Sequence, residues 1–438
     1  MKRIAFISEH ASPLALTGGT DNGGQNVYVA EMGKALVAAG YAIDVYTRRD
    51  HPEQPEVVRW WPGIRVIHIK AGPEQGVEKE GLLIYMKEFA DNILQFIMRE
   101  QRVYELIHAH FFMSAWVASI VKKVLGIPYI VTFHSLGMVR KYYQKEMDRF
   151  PDERCGIERF IVQDADRIIA ECPQDKEDLI HHYQAFPEKI TIVPCGFNPE
   201  DFYPIDRDRA REQLGLPLEE PILLQLGRMV PRKGMDTVIR ALGLLQQKGK
   251  KALLMIVGGN TDWPDPFRTP EIGRLQEIAR QEQVIDNIYF TGRKGREILR
   301  YYYAAADIFV TVPWYETFGI TPLEAMACGI PVIGSDTGGI KFSVVPGKTG
   351  LLVPPNDVPT LAAGIGNLLD NKKLRRQMGK NGIRRVNSFF TWKKAADQLI
   401  GAYEKMGAEK QRERIILQWS REFFHADRPE IRTYTAAS

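Results

Sequence analysis

The strongest constraint on the fold is a series of short, unbroken apolar runs that repeats, stops and then starts again. In the first half these runs fall at 3–8, 42–47, 65–69, 106–109, 129–133, 167–170 and 191–193. A strand with one wet face alternates apolar and polar residues. These runs, rich in Ile and Val, mostly do not, which is the pattern of parallel strands covered on both faces. Helical patterns lie between them at 26–39, 85–100, 114–125 and 154–164, so the units are βαβ and the sheet is doubly wound. A break at 197–204 and a charged run at 206–211 interrupt the series. It then resumes at 222–226, 253–257, 288–291, 308–312, 331–333 and 351–353. The expectation is an α/β protein of two doubly wound, Rossmann-like domains, 1–203 and 204–410, facing a central cleft. A C-terminal helix and tail, 411–438, is expected to dock on the groove edge or the first domain.

Composition narrows the functional classes. The chain has 438 residues, 45% hydrophobic and 26% charged, as in ordinary globular proteins. No run approaches the roughly 20 apolar residues of a membrane span, and Met1-Lys-Arg-Ile4 leads into a strand instead of a signal peptide. The cytoplasm is therefore the expected compartment. Cys155, Cys172, Cys195 and Cys328 show neither metal-ligand nor dense disulfide spacing. The net charge of +4 is too mild and too scattered for nucleic acid but suits phosphorylated small molecules. Nothing in the sequence selects an oligomeric state.

Several motifs sit where such sheets bind ligands, at the C-terminal ends of strands. Gly18-Gly-Thr-Asp-Asn-Gly-Gly24 follows the first strand and opens a helix; its glycines let the backbone approach a ligand. Its spacing is not that of a dinucleotide fingerprint, so a nicotinamide cofactor is not expected. Arg228, Arg232 and Lys233 converge after the first strand of the second domain, enough cationic charge for a diphosphate without a metal. Glu316 and Glu324 flank a strand-to-helix turn. There Thr321 is expected as N-cap, Pro322 as the first helical residue and Glu324 as N3 of a capping box. His108, His110 and His134 end two strands, but no carboxylate or cysteine stands at ligand spacing, so no metal is expected and His134 reads as a hydrogen-bonding group for a hydroxyl. His181-His182 looks like surface. Asp206-Arg-Asp208 and Pro346-Gly-Lys-Thr349 imitate metal and phosphate motifs; the first starts a helix, and the second lacks the leading glycine.

Taken together, the glycine loop, the Arg228…Lys233 pair and Glu316-x7-Glu324 resemble the family 4 retaining glycosyltransferases, which have the GT-B fold. The resemblance covers nearly the whole chain. It implies a metal-independent enzyme with no cofactor, whose partners are a UDP-sugar donor and a phosphorylated sugar acceptor. Arg228 and Lys233 would bind the donor diphosphate, Glu324 the ribose with its second carboxylate oxygen, and Glu316 the hexose. Backbone amides of Phe318, Gly319 and Ile320 would reach hexose hydroxyls or phosphate, Arg293 would line the base pocket, and Gly23, Gly24 and His134 would lie near the reacting sugar.

Two subfamilies compete over the acceptor. Ser12-Pro-Leu-Ala15, Asn26-Val-Tyr-Val29 and Ala71-Gly-Pro73 are similar to the inositol-phosphate glycosyltransferases of mycothiol synthesis. Gln25 is similar to the sucrose-phosphate synthases, where this glutamine faces fructose. In either group Lys79, Ser135 and Arg154 would hold the acceptor phosphate. Phe111 stands where the inositol-phosphate enzymes have a phosphate-binding tyrosine, and phenylalanine cannot donate a hydrogen bond. The favoured expectation is glucose transfer from UDP-glucose to fructose 6-phosphate. In this reading a donor phosphate oxygen takes the acceptor proton, and His134 and Glu316 orient the reactants. Rivals are inositol-phosphate transfer from a UDP-N-acetylhexosamine, an epimerase or phosphorylase on the same fold, and a non-catalytic nucleotide-sugar sensor. Closure of the cleft is expected about a hinge near 198–204.

Overall fold

The computed structural model describes residues 2–15 and 23–426, with side chains through Glu409. The first domain is an eight-stranded sheet built from β1 (Arg3–Ile7), β2 (Ala42–Arg48), β3 (Val57–Trp61), β4 (Ile64–Ile69), β5 (Leu106–His110), β6 (Tyr129–Thr132), β7 (Arg167–Ala170) and β8 (Ile190–Ile192). Their order is β3-β4-β2-β1-β5-β6-β7-β8. The second sheet comprises β9 (Ile222–Leu226), β10 (Leu253–Val257), β11 (Ile288–Gly292), β12 (Ile308–Thr311), β13 (Val332–Ser335) and β14 (Gly350–Val353). It is ordered β11-β10-β9-β12-β13-β14. Each order reverses direction beside its first strand, the switch point at which an open α/β sheet leaves a crevice.

The expected strands recur within a residue or two. β3 is an addition: it pairs antiparallel with β4 at the sheet edge, with every residue half-buried or exposed. Its Arg and Trp residues and its closing Pro62-Gly63 turn break the unbroken apolar pattern that betrays the parallel strands. Helices Gly24–Ala38, Met86–Arg99, Phe112–Leu125 and Glu153–Asp164 fall where periodicity puts helices. In helix Met86–Arg99 the apolar residues Phe89, Ile93 and Ile97 recur four apart and bury one face in the first domain's core. The second domain has its own core, around Val238, Leu242, Leu254 and Ile308.

The segment that leads from β8 to β9 pairs with the segment that opens the last helix. Phe197 N–H donates to Phe390 O at 2.8 Å, and Trp392 N–H donates to Phe197 O at 3.2 Å. Asp206 does start a helix: its side chain caps Arg207–Leu214 by accepting from Arg209 N–H. Pro346–Thr349 forms a turn with Gly347 N–H bonded to Gly350 O. His181 and His182 are exposed. Residues 1–396 form one compact unit, and a second begins at Asp397. The last described element, helix Trp392–Ala426, is continuous through residue 410. No helix among the described residues is long and apolar enough to cross a membrane.

Candidate active site

A single cleft collects the residues that end the strands. Every residue expected at the site lines it. His134 and Ser135 follow β6, Phe111 follows β5, Arg228 follows β9, Arg293 follows β11, and the Glu316–Glu324 stretch follows β12. Gly18 to Asn22 of the glycine motif lie outside the described residues. Gly23 and Gly24 are described, and Gly24 opens helix Gly24–Ala38. Gly23 N–H donates to the Asn26 side chain at 2.9 Å. A Cβ on Gly23 would come within 3.2 Å of the Arg228 side chain, so glycine is what lets the two walls approach.

The wall formed by the second domain is a charge cluster. Lys233 Nζ donates to Glu316 Oε2 in a close ion pair. Burial alone would raise the Glu316 carboxyl, but Lys233, Arg232 and Arg228 hold it down to about 2. Burial lowers the Lys233 ammonium to about 8; Glu316 opposes this, and Arg232 and Arg228 reinforce it. The cations are thus gathered and partly desolvated around one carboxylate, a place where a second anion would be welcome. Gly319 adopts φ +91, a conformation that glycine takes without strain, and so turns the chain into helix Thr321–Ala327.

The helix start departs from the expected capping box. Ile320, in helical conformation, is the N-cap, and no side chain caps it. Thr321 and Glu324 are therefore one position further into the helix than a box requires. Glu324 is drawn instead to the buried side: Arg296 Nη1 donates to its Oε1 at 2.9 Å and Tyr303 Oη to its Oε2 at 2.8 Å. Neither oxygen is free of a partner, which corrects the expectation of a spare one. Each still has a lone pair with which to accept a ribose hydroxyl. Arg293 pairs with Asp262 at 3.0 Å, and its backbone N–H donates to Thr261 O at 2.7 Å.

His134 is not an open donor either. It stands at φ +56, with Nδ1 3.0 Å from Glu171 Oε1 and Nε2 3.1 Å from His110 Nδ1. His108, His110 and His134 do form a stack, with ring centroids 4.3 and 5.4 Å apart. Burial pushes the first two well down, so both rings are neutral. Among the described residues no group of His, Cys, Asp and Glu side chains is arranged to hold a metal ion.

The wall formed by the first domain carries Gln25, Lys79, Phe111, Ser135 and Arg154. Gln25 Nε2 donates to Ser8 Oγ and His110 O, both at 3.3 Å, which fixes the amide with its oxygen unused. Arg154 is almost fully buried: Nε donates to Glu158 at 2.8 Å, Nη2 donates to Ser135 O at 2.7 Å, and Nη1 has no partner among the described residues. Its guanidinium lies 4.9 Å from the Phe111 ring centroid and 4.5 Å from that of Phe150. Phe111 therefore acts through Arg154, as one wall of its aromatic cage. Lys79 lines the cleft in the short turn Lys79–Gly81. Arg140, held by Asp148 at 2.6 Å, adds a third cation that sequence reasoning passed over. Glu171, Cys195 and Arg296 were also missed. The first two directly follow or closely trail a parallel strand, a signal that could have found them. Arg296 has no local signal, because its partner is 28 residues away.

Comparison with known proteins agrees with this architecture. Residues 23–196 match the glycosyl transferase 4-like domain, and residues 206–385 match glycosyl transferases group 1. The chain is 35% identical over 408 residues to a D-inositol 3-phosphate glycosyltransferase of Corynebacterium efficiens, covering 92% of this chain and 95% of that one. It is 33% identical over 416 residues to the enzyme of the same name from Acidothermus cellulolyticus, covering 94% and 92%. Among solved structures it is similar to the sucrose-phosphate synthase of Thermosynechococcus elongatus, at 35% identity and a TM-score of 0.86, covering 93% of this chain and all of that one. With two facing parallel-sheet domains and relatives matched along almost their whole length, this chain belongs to the family 4 glycosyltransferases and has the GT-B fold.

Proposed function

We propose that the protein is a retaining glycosyltransferase that moves glucose from UDP-glucose to a phosphorylated sugar, fructose 6-phosphate before others, giving sucrose 6-phosphate. The observation that carries the phosphorylated acceptor is Arg154, a caged and buried guanidinium with an unpartnered Nη1, in the same cleft as Lys79 and Arg140. An anion satisfies that nitrogen; a neutral sugar does so only weakly. Fructose is favoured over inositol by Gln25, whose anchored amide leaves its oxygen for a hydroxyl, and by Phe111, which cannot bond a phosphate. Inositol-phosphate transfer from a UDP-N-acetylhexosamine is the second reading. Its acceptor is supported by relatives named D-inositol 3-phosphate glycosyltransferase, one at the same 35% identity as the sucrose-phosphate synthase.

In the proposed reaction UDP departs with growing charge on its diphosphate. Arg228 and Lys233 meet that charge with groups already in place, so little reorganisation is needed. Lys233 would exchange part of its pairing with Glu316 for phosphate, freeing the carboxylate to orient the hexose. The acceptor hydroxyl attacks from the face UDP leaves, and a donor phosphate oxygen takes its proton.

The test is UDP release from UDP-glucose and UDP-N-acetylglucosamine, each with fructose 6-phosphate, inositol phosphate and the free sugars. Turnover confined to inositol phosphate would reverse the order of the two readings. Arg154→Ala should raise the acceptor KM far more than the donor KM, because it removes a charge-assisted phosphate bond. Equal effects on both would defeat the phosphorylated acceptor.

A further inference from the structure

The carboxylate of Glu171 is left unused by the reaction as described. It follows β7, is 3% exposed and lines the cleft. Its Oε1 carries two contacts, from His134 Nδ1 at 3.0 Å and Cys195 Sγ at 3.2 Å. Burial and the charge of Glu171 push the Cys195 thiol well above its ordinary value, so the sulfur keeps its proton and donates. No described residue supplies a partner for Oε2. His134, next to it, has both ring nitrogens committed inside the protein, Nδ1 to Glu171 and Nε2 to His110. At this point in the cleft the unspent hydrogen-bonding capacity therefore belongs to Glu171.

The surroundings say which ligand would use it. Thr317 Oγ1 donates to His134 O at 2.9 Å, and Cys172 Sγ lies 3.3 Å from Thr317 O. The end of β7 is thus tied to the loop that carries Glu316, and the charge of Glu316 is felt at Cys195. Glu171 and Glu316 line the same cleft from opposite domains. A carboxylate oxygen on the cleft wall accepts hydrogen bonds only, and a sugar hydroxyl is a donor of the right kind. We propose that Glu171 is a further donor-sugar contact, its Oε2 accepting a hydrogen bond from a hydroxyl of the transferred hexose. This assignment rests on the glycosyl-transfer reading above.

The test pairs Glu171→Gln with UDP-glucose and its 2-, 3-, 4- and 6-deoxy forms. Glutamine can keep the bond to His134 through its carbonyl while placing a donor where Oε2 was. The variant should lose roughly ten- to hundredfold in kcat/KM on UDP-glucose, the scale of a hydrogen bond to a charged group. On the one deoxy donor that lacks the partner hydroxyl, the loss should shrink to about twofold or less. Affinity for UDP itself should not move. A variant equally impaired on every donor and on UDP, or unimpaired on UDP-glucose, overturns the assignment. If Glu171→Gln does not fold, Glu171→Asp, which keeps the charge but draws the carboxylate back by one methylene, is compared across the same donors. Wild-type protein that releases no UDP with any phosphorylated sugar would defeat the glycosyl-transfer reading itself, whereas an active wild type with a flat Glu171→Gln profile defeats only the role of Glu171.

Discussion

Arg228 and Lys233 show how single residues carry the proposed chemistry. Arg228 follows β9 and touches Gly23 across the cleft, so it stands where the two walls meet. Arg228→Ala is expected to lower kcat by about 10²–10³, the cost of losing one preorganised charge partner in the transition state. Single-turnover kinetics with UDP-glucose would check this, and a loss of only a few fold would remove Arg228 from the diphosphate site. Lys233 adds a pH signature. Its folded value of about 8 lies below the ordinary 10.5. Below pH 8 it is charged in folded and unfolded chains alike, and its burial costs stability in full. That cost fades as pH rises from about 8 towards 10.5. Activity runs the other way: kcat/KM for the donor should fall above pH 8 as the ammonium loses its charge, and Lys233→Arg should abolish that limb. Glu316, held at about 2 against an ordinary 4.5, contributes stability that is present above pH 4.5 and lost as pH falls towards 2.

Elements place these residues, and one junction is unusually tight. A Cβ on Gly196 would lie 2.4 Å from the backbone nitrogen of Trp392, just where Phe197 pairs with Phe390 and Trp392. These paired segments thus adjoin the expected hinge at 198–204 and tie it to a second stretch of chain. Gly196→Ala should cost about 1–3 kcal/mol, as overpacking does, and lower the Tm measured by calorimetry. An unchanged Tm would mean that the paired segments separate readily. The helix after Gly319 shows where local reading stopped. Thr321, Pro322 and Glu324 have the spacing of a capping box. Helix Arg296–Ala305 supplies Arg296 and Tyr303, which engage the Glu324 carboxylate from outside the segment. A local pattern cannot reveal a competitor that arrives through the fold.

At the scale of the whole molecule, the cleft is held by bonds from the loop around Glu316 to the first domain. Tyr315 Oη accepts from Gln144, and the Tyr143 and Tyr315 rings stack with centroids 5.2 Å apart. Thr317 Oγ1 donates to His134 O at 2.9 Å. Closure matters to a transferase because water competes with the acceptor for the donor. Thr317→Val removes one closing bond while keeping the side chain's volume. It should slow transfer and raise the share of UDP-glucose lost to hydrolysis, read as glucose formed against sugar phosphate glycosylated. A product ratio equal to wild type would show that this bond does not govern closure.

Much of the architecture was legible in the chain itself, because a strand buried on both faces must be apolar throughout. The parallel strands of both sheets announced themselves in this way, and the antiparallel edge strand β3, half-exposed with Arg59 and two tryptophans, did not. The cationic cluster at 228–233 and the Glu316/Glu324 pair were also legible, since each follows an apolar strand run, whereas Gln25, Lys79 and Arg154 came only through the family resemblance. Tertiary structure alone decided what those groups touch. It paired Lys233 with Glu316, gave Glu324 to Arg296 and Tyr303, closed both nitrogens of His134, and set Glu171 beside it with an oxygen to spare. The physical reason is range. Burial pattern is written in neighbouring residues, whereas a hydrogen-bond partner is chosen by proximity in space among groups that the chain brings together from far apart.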